Sequence, residues 1–358
     1  MATFNGQLRS NEIFSALYNM IISQEVFADN LGAHQTLVDK ARVDGSLYGD
    51  TKLYYSTDVL KSAPWGNDAE AANLLALHRP SAPKCQTIHL DQFRQICLTV
   101  DNYLSKRAWS TEGAFSSFND VMLGWMRETK RVYDGTLYNV FIGTTASSKA
   151  TENRTVPVKG LTDVKEEAMV IAQSLADLFV EMGDYSRDFN DNGFLRSYAK
   201  DGIKVIWNSK YVNKIRKVDL PTIFHKDGLI DKFEEEVLPA RYFGVKNASN
   251  VTAANNTGNY RSVLEKDYTV GGVTTHVFPG DVIPAGVAIA AGEGYAVDAD
   301  VICKVLVKLP PYMSAFEVGT SFFNPKSLTE NHYLTFGHNT IEYLENYPFI
   351  TVKAVSAE

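Results

Sequence analysis

FSSFNDVMLGWMRETKRVYDGTLYNVF, residues 115–141, runs without a proline and repeats its apolar side chains at helical spacing. Phe115, Phe118, Met122, Trp125, Thr129, Val132, Thr136 and Val140 step by three and four, which places them on one face, and Leu137 and Phe141 widen it. At 1.5 Å per residue the stretch predicts a rod of roughly 40 Å. Gly124 and Gly135 weaken the helix, since glycine inside a helix is less stable than alanine, and Gly143 falls where a C-cap would end it. A rod of this length spans a whole domain, so its neighbours in sequence decide what it supports.

After the rod, VKEEAMVIAQSLADLFVEM predicts a second helix with Val164, Ala168, Ile171, Leu175, Leu178 and Met182 inward. Asp163 caps it, with Glu166 three residues on as in a capping box. IKVIW, residues 203–207, reads as a buried strand and NSKYVNKIRKV as a basic amphipathic helix behind it. From Asp267 to Leu309 the chain is strand-rich, with VGGV, FPGD and IPAG as turns. The last 40 residues alternate apolar and polar and predict sheet strands that return to earlier elements. Ahead of the rod, QTIHLDQFRQICLTVDNYL alternates as a strand, with Ile88, Leu90, Phe93, Ile96, Leu98 and Val100 as its apolar content. Before it, Tyr54 to about Ala82 reads as a long polar excursion with a weak helix in its middle. Residues before about 45 form an arm with a short helical pattern at Ile13, Leu17, Met20 and Ile21.

With 358 residues, 45% apolar and 22% charged, the chain holds one elaborate core or two modules. A net charge of -7 without a long basic block argues against a broad grip on phosphate backbones. The N-terminus lacks the basic, apolar and small-residue sequence of a signal peptide, and no window reaches the ~20 apolar residues of a membrane helix. The chain is therefore expected to be made in a cytoplasm and to stay soluble. Cys85, Cys97 and Cys303 lack CxxC spacing and read as buried, inert, reduced thiols. Sequons at Asn153, Asn247, Asn250 and Asn255 mean only polar loops without a secretory route.

A search for chemistry finds little. His332 and His338 lie six apart without a carboxylate pattern for a metal. GEGYA at 292–296 lacks the third glycine and following helix of a dinucleotide fingerprint, so turn glycines account for it. There is no P-loop, GxSxG elbow or CxxC. Glu234, Glu235 and Glu236, read on a helix, point about 100° apart and form a solvated face. The Asn-rich stretch 246–260 suits an exposed loop tip or an inter-subunit contact. Neither a catalytic residue nor a cofactor or metal ligand is assigned. Groups from distant segments can still meet in a fold without a local motif.

The order of these elements carries more than any one of them. An arm, an excursion returning through strands, the rod at 115–141, an α/β region with a strand-rich insertion and a returning sheet follow in turn. The stretches FNDNGFLRSYAKDGIKVIWNSKYVNKIRKVDLPTIFHKDGL at 189–229 and FFNPKSLTENHYLTFGHNTIEYLENYPFITVKA at 322–354 add local texture. In this order the chain resembles the major capsid proteins of tailed bacteriophages with the Hong Kong 97-type fold, an α+β architecture. The resemblance implies an N-terminal arm at 1–50, an extended E-loop at 51–87 and a peripheral domain at 88–160 with the spine helix at 115–141. An axial domain at 161–318 and returning peripheral strands at 319–358 complete it.

What the resemblance implies is a coat that self-assembles as hexamers and pentamers into an icosahedral head around the phage double-stranded DNA, a structural protein and not an enzyme. The virion is its place, after assembly in the host bacterial cytoplasm. Packaged DNA would be a weakly contacted neighbour, and a portal and a separate scaffolding protein would be partners. The last follows because some members carry a built-in helical scaffold ahead of the arm, whereas here the arm begins almost at Met1, which also suggests that the coat is not trimmed. Inter-subunit anchors are expected at Phe4, Ile13 and Phe14 in the arm and Trp65 in the loop, since aromatic and aliphatic side chains dominate interfaces. Packing within their own subunit is the competing role for all four. Some related coats cross-link a loop lysine to a neighbour's asparagine. Lys52 and Lys61, with Asn324, Asn331 and Asn339, include no pair that a pattern singles out, and no cross-link is expected. Competing readings are an encapsulin-like nanocompartment shell, an α/β enzyme with dispersed active-site residues, and another virion part such as a tail tube.

Overall fold

A computed structural model describes residues 36–45, 51–62, 77, 79–101, 112–149, 153–215 and 234–357. In chain order its elements are α1 (Leu37–Ala41), β1 (Arg42–Asp44), β2 (Thr51–Ser56), β3 (Lys84–Asp101), α2 (Glu112–Thr144), β4 (Asn153–Lys159) and α3 (Val164–Gly183). Then follow β5 (Lys204–Asn208), α4 (Ser209–Ile215), β6 (Glu234–Leu238), β7 (Gly244–Lys246), β8 (Tyr260–Ser262), β9 (Lys266–Val270) and β10 (Val273–Val277). The last are β11 (Gly294–Val297), β12 (Val301–Leu306), β13 (Tyr312–Asn324), β14 (Thr329–Asn339) and β15 (Phe349–Ser356). The chain divides into one unit of Met1–Gly49, Leu90–Gly135 and Met313–Asn339, and another of Asp50–His89, Thr136–Tyr312 and Thr340–Glu358.

The expected rod is α2, and it starts and ends three residues beyond 115–141. The side chains of Phe115, Phe118 and Met122 lie outside the described residues; from residue 124 on, Leu137 and Val140 are buried as expected, but the rest of the buried face is shifted. Met126, Lys130, Tyr133, Asp134, Leu137, Tyr138 and Val140 are buried, whereas Val132 is 40% exposed and Trp125, Thr129 and Thr136 are half-buried. Part of the shift goes with an ion pair inside the first unit: Lys130 Nζ lies 2.9 Å from Asp134 Oδ2, so two charged residues satisfy each other at positions that apolar periodicity assigns to solvent. Thr129 turns its hydroxyl back onto the carbonyl of Trp125 at 2.8 Å, satisfying itself within the helix. Gly143 is not a C-cap, because the helix continues through it. A Cβ there would stand 2.1 Å from the carbonyl oxygen of Tyr242, so glycine permits one backbone to lie against another.

In the first unit β13, β14 and the Leu90–Asp101 part of β3 pair antiparallel, with β1 beyond β13. Buried there are Leu37, Val38, Leu90, Val100, Met126, Met313, Leu334 and Phe336. The Tyr133 hydroxyl meets His338 Nε2 at 2.9 Å, and burial holds the imidazole below its ordinary pKa. Arg42 adds a second cation beside Asp134 at 3.4 Å. This interior is therefore laced with satisfied polar groups, which is the condition for burying them.

The second unit is built on a five-stranded sheet in the order β4, β15, β12, β5, β6. β15 runs parallel to β4 and antiparallel to β12, β12 antiparallel to β5, and β5 parallel to β6. A cluster of Ile171, Leu175, Leu178 and Met182 from α3 with Val205, Val305, Ile350 and Val352 from the sheet forms its core. Asp163 caps α3 as expected, accepting the Lys165 amide at 2.9 Å, but Val164 is 41% exposed instead of inward. The IKVIW strand and the helix after it are β5 and α4. Glu234 to Glu236 lie on a strand and not a helix, so they alternate faces, and Glu234 pairs with Lys204. A charge run has no apolar period from which to tell the two structures apart.

The strand-rich stretch 267–309 holds the β9–β10 hairpin, β11 and β12; β11 pairs with β7 and β8, which precede the stretch, and β12 lies in the five-stranded sheet. Gly271 and Gly272, at φ 57° and 82°, make the two-residue turn that joins the hairpin, as VGGV suggested. GEGYA opens on a turn, with Gly292 at φ 79°, and its last three residues begin β11. Most of the Asn-rich stretch is exposed, as expected of a loop, but two of its asparagines do structural work. Asn256 is buried and donates to the carbonyls of Pro284 and Val287, and Asn247 donates to Ala290 and accepts from Gly294, so both fasten loop to loop. The cysteines also divide. Cys303 is buried and desolvation raises its thiol pKa, while Cys85 and Cys97 stand on the outward, odd-numbered face of β3. Among the described residues, no helix is long and apolar enough to cross a membrane.

Candidate assembly surface

TKLYYS at 51–56 alternates, and β2 pairs antiparallel with the start of β3 from Thr51 opposite His89 to Ser56 opposite Lys84. The alternation turns Leu53 and Tyr55 outward, 51% and 67% exposed, opposite Thr87 and Cys85. Val59, Leu60 and Leu77 are exposed as well. A region read from sequence as a polar excursion thus contains a hairpin whose apolar face meets solvent. β2 is the edge of its sheet and pairs with β3 alone, so bonds from other segments matter to its hold.

Its root is held by other segments of the second unit, through side chains and backbone groups. Asp58 accepts from Arg187 at 2.7 Å and from the Leu195 amide at 3.0 Å, and Arg196 donates to the carbonyl of Thr57. These bonds to Arg187, then to the Leu195 and Val59 amides, pull the Asp58 carboxyl down to about 2. On the other strand Gln86 donates to the Tyr343 carbonyl at 2.9 Å and accepts the Glu345 amide at 3.0 Å. The turn that receives Asp58 is itself fixed. Ser186 and Arg196 exchange two backbone bonds of 3.0 Å, and the buried Asn190 side chain bonds both the amide and the carbonyl of Phe194 at 2.8 Å. Asp191 accepts from Ser147, Ser148 and Tyr343 at 3.1, 3.1 and 2.6 Å.

In the first unit the β13–β14 turn leaves Phe322, Phe323 and Leu328 exposed, with Leu328 at φ 54°. A groove of about 450 Å³ lies beside it, lined among others by Met126, Arg127, Glu317, Thr320, His332 and Tyr333. Among the described residues, no group of three or more His, Cys, Asp or Glu is placed to hold a metal. His276 sits between Asp267 at 2.6 Å and Glu265 at 2.8 Å, and the bond to Asp267 contributes most to raising its pKa.

The anchors expected at Phe4, Ile13, Phe14 and Trp65 lie outside the described residues. Of the residues weighed for a cross-link, Asn339 is buried and accepts the Met313 amide at 2.7 Å, and Asn331 accepts from Thr99 at 2.7 Å. Asn324 accepts the Lys326 amide at 3.1 Å, so all three serve the β13–β14–β3 ladder or its turn. Lys61 is exposed and Lys52 half-buried. Sequence reading missed Leu53, Tyr55, Asp58 and Gln86. Alternation in TKLYYS was the one available signal for the first two.

No family model matches the sequence, and no curated protein matches it. Solved structures do match its fold. One is the capsid structure of Staphylococcus phage Andhra, 11% identical over 92% of this chain and 87% of that one, with a TM-score of 0.58. Another is the structure of the head fiber and inner core protein gp22 of native bacteriophage P68, 10% identical over 91% and 87%, with a TM-score of 0.57. At such identities the likeness is one of fold, and the fold is the tailed-phage capsid type that the order of elements resembles.

Proposed function

We propose that this chain is a major capsid protein, which self-assembles as hexamers and pentamers into an icosahedral head enclosing phage double-stranded DNA. The observation that carries this reading is the shared fold over nine-tenths of the chain with a phage capsid structure, at a TM-score of 0.58. The apolar hairpin face of Leu53 and Tyr55 supports it, because a second copy of the chain would cover side chains that their own subunit leaves in water. In a closed shell each contact recurs many times, so a modest free energy per contact suffices. The acidic balance, -7, suits a container that must not hold its DNA tightly. A separate scaffolding protein and a portal belong to this proposal, as do assembly in the host bacterial cytoplasm and residence in the virion. The arm, E-loop, peripheral and axial boundaries also belong to it, with Phe4, Ile13, Phe14 and Trp65 as anchors on neighbours.

Negative-stain electron microscopy of the purified chain after size-exclusion chromatography, with and without lowered salt, tests it. Closed polyhedra or five- and six-fold rings are the expected result. A compact monomer that assembles at no concentration would overturn it. Shells that copurify with an enzyme and without DNA would replace the head by a nanocompartment.

A further inference from the structure

The hairpin and the turn that receives it differ in how they are made. The Ser186–Arg196 turn closes on itself through its two backbone bonds and through Asn190, and Asp191 ties it to Ser147, Ser148 and Tyr343, none of which involves the hairpin. The β2–β3 root has an apolar face in water and takes its polar partners from that turn and from the Tyr343–Glu345 segment. Both strands are gripped, β2 just beyond its end at Thr57 and Asp58, and β3 near its start at Gln86. The Lys308 ammonium also stands 5.6 Å from the Tyr54 ring, on the side away from Leu53 and Tyr55.

We propose that the Ser186–Arg196 turn and the Tyr343–Glu345 segment form a preformed socket that fixes the hairpin root on its own subunit before assembly, presenting the Leu53–Tyr55 face to a second copy in a set direction. The inference rests on the coat reading for its partner and on the geometry above for its mechanism. A loop that swings freely must be ordered when it binds, and that lost freedom counts against association. A root already gripped on both strands has lost most of it in the free subunit. The grip lies at the root and leaves the apolar face uncovered, so it orients the face without competing for it. Each bond is exposed or half-exposed and individually weak, so its effect comes from the joint hold on two strands.

Hydrogen exchange on full-length, unassembled subunits tests the socket. Asp58→Ala combined with Gln86→Ala is expected to speed amide exchange in 51–58 and 84–89 by about tenfold or more, while 301–306 and 349–356 keep their protection. Asp58→Asn, which keeps an acceptor for the Leu195 amide, should fall between wild type and Asp58→Ala. Arg187→Ala, at an exposed position, provides a variant whose folding is not at risk. Light scattering should then show slower assembly by the faster-exchanging variants, ending in shells of normal form. Unchanged exchange in the hairpin root overturns the socket, and faster exchange with unaltered assembly rate overturns its role in presentation. If wild type forms no shells, the coat reading fails and the presentation role with it. The exchange comparison still decides the socket by itself.

Discussion

β12 and β2 are both six-residue strands of the second unit with apolar content, and they use it in opposite ways. All six residues of VICKVL are buried, whereas TKLYYS buries only Ser56 and turns Leu53 and Tyr55 to water. The difference is one of place. β12 lies between β15 and β5 with a helix-covered core against it, and β2 is the edge of its sheet with β3 as its partner. Apolar side chains thus stabilise the subunit in one strand and are left in water in the other, so on the coat reading proposed above folding and assembly should be separable by mutation.

The largest effect tests the core side of that contrast. Gly143→Val forces a branched side chain into the carbonyl of Tyr242, a backbone atom that no rotamer change moves aside, so soluble subunit should fail to accumulate. Normal yield and an unchanged urea midpoint would mean that the close approach is not required. Next, Ile350→Ala removes a fully buried side chain from β15 and should lower unfolding stability by ~2–5 kcal/mol, read from the urea midpoint of unassembled subunits. A loss near zero would dissolve the contrast with β2.

Lys304 gives the third test. It is the charged residue in the middle of β12, bonded to the Thr145 carbonyl at 2.7 Å and the Thr351 hydroxyl at 2.8 Å. Burial foremost, then the nearby Lys353, brings its pKa down from 10.5 to about 7. Between those values the unfolded chain holds a proton that the folded chain has released, so stability should rise with pH from about 7 towards 10.5. Lys304→Met should flatten that rise between pH 7 and pH 9. Equal slopes in the two proteins would contradict it. The smallest effect on stability belongs to the hairpin. Leu53→Ser with Tyr55→Ser should leave the unfolding free energy, from urea titration, within ~0.5 kcal/mol of wild type yet reduce or abolish shells in the microscope. Normal shells from this variant would remove the hairpin face from the interface.

How much of this was legible follows from whether a signal is periodic and local. The long helix, α3, β3 and β5 were legible because their apolar residues repeat at the period of the structure that they form. The orientation of α2 was not, because Lys130 and Asp134 satisfy each other inside and so break the rule that charge faces water. Gly143 was misread as an end because only the folded chain shows what approaches it. For the candidate site, six residues of β2 with their apolar side chains outward resemble a polar loop that happens to hold Leu and Tyr. The socket has no local signature at all, since Asp58 and Arg187 lie 129 positions apart. The same holds for Asn256, whose partners Pro284 and Val287 become neighbours only through the fold.

The place of β15 in its sheet has a consequence for synthesis in the cell. It lies between β4 and β12, yet residues 349–356 are translated after both of those strands. At ~5–20 residues per second, roughly 10–40 s separate the emergence of β4 from that of β15. Until then each flanking strand offers an unpaired edge, which is an invitation to chaperones or to aggregation. A chain broken off before residue 349 never leaves that condition.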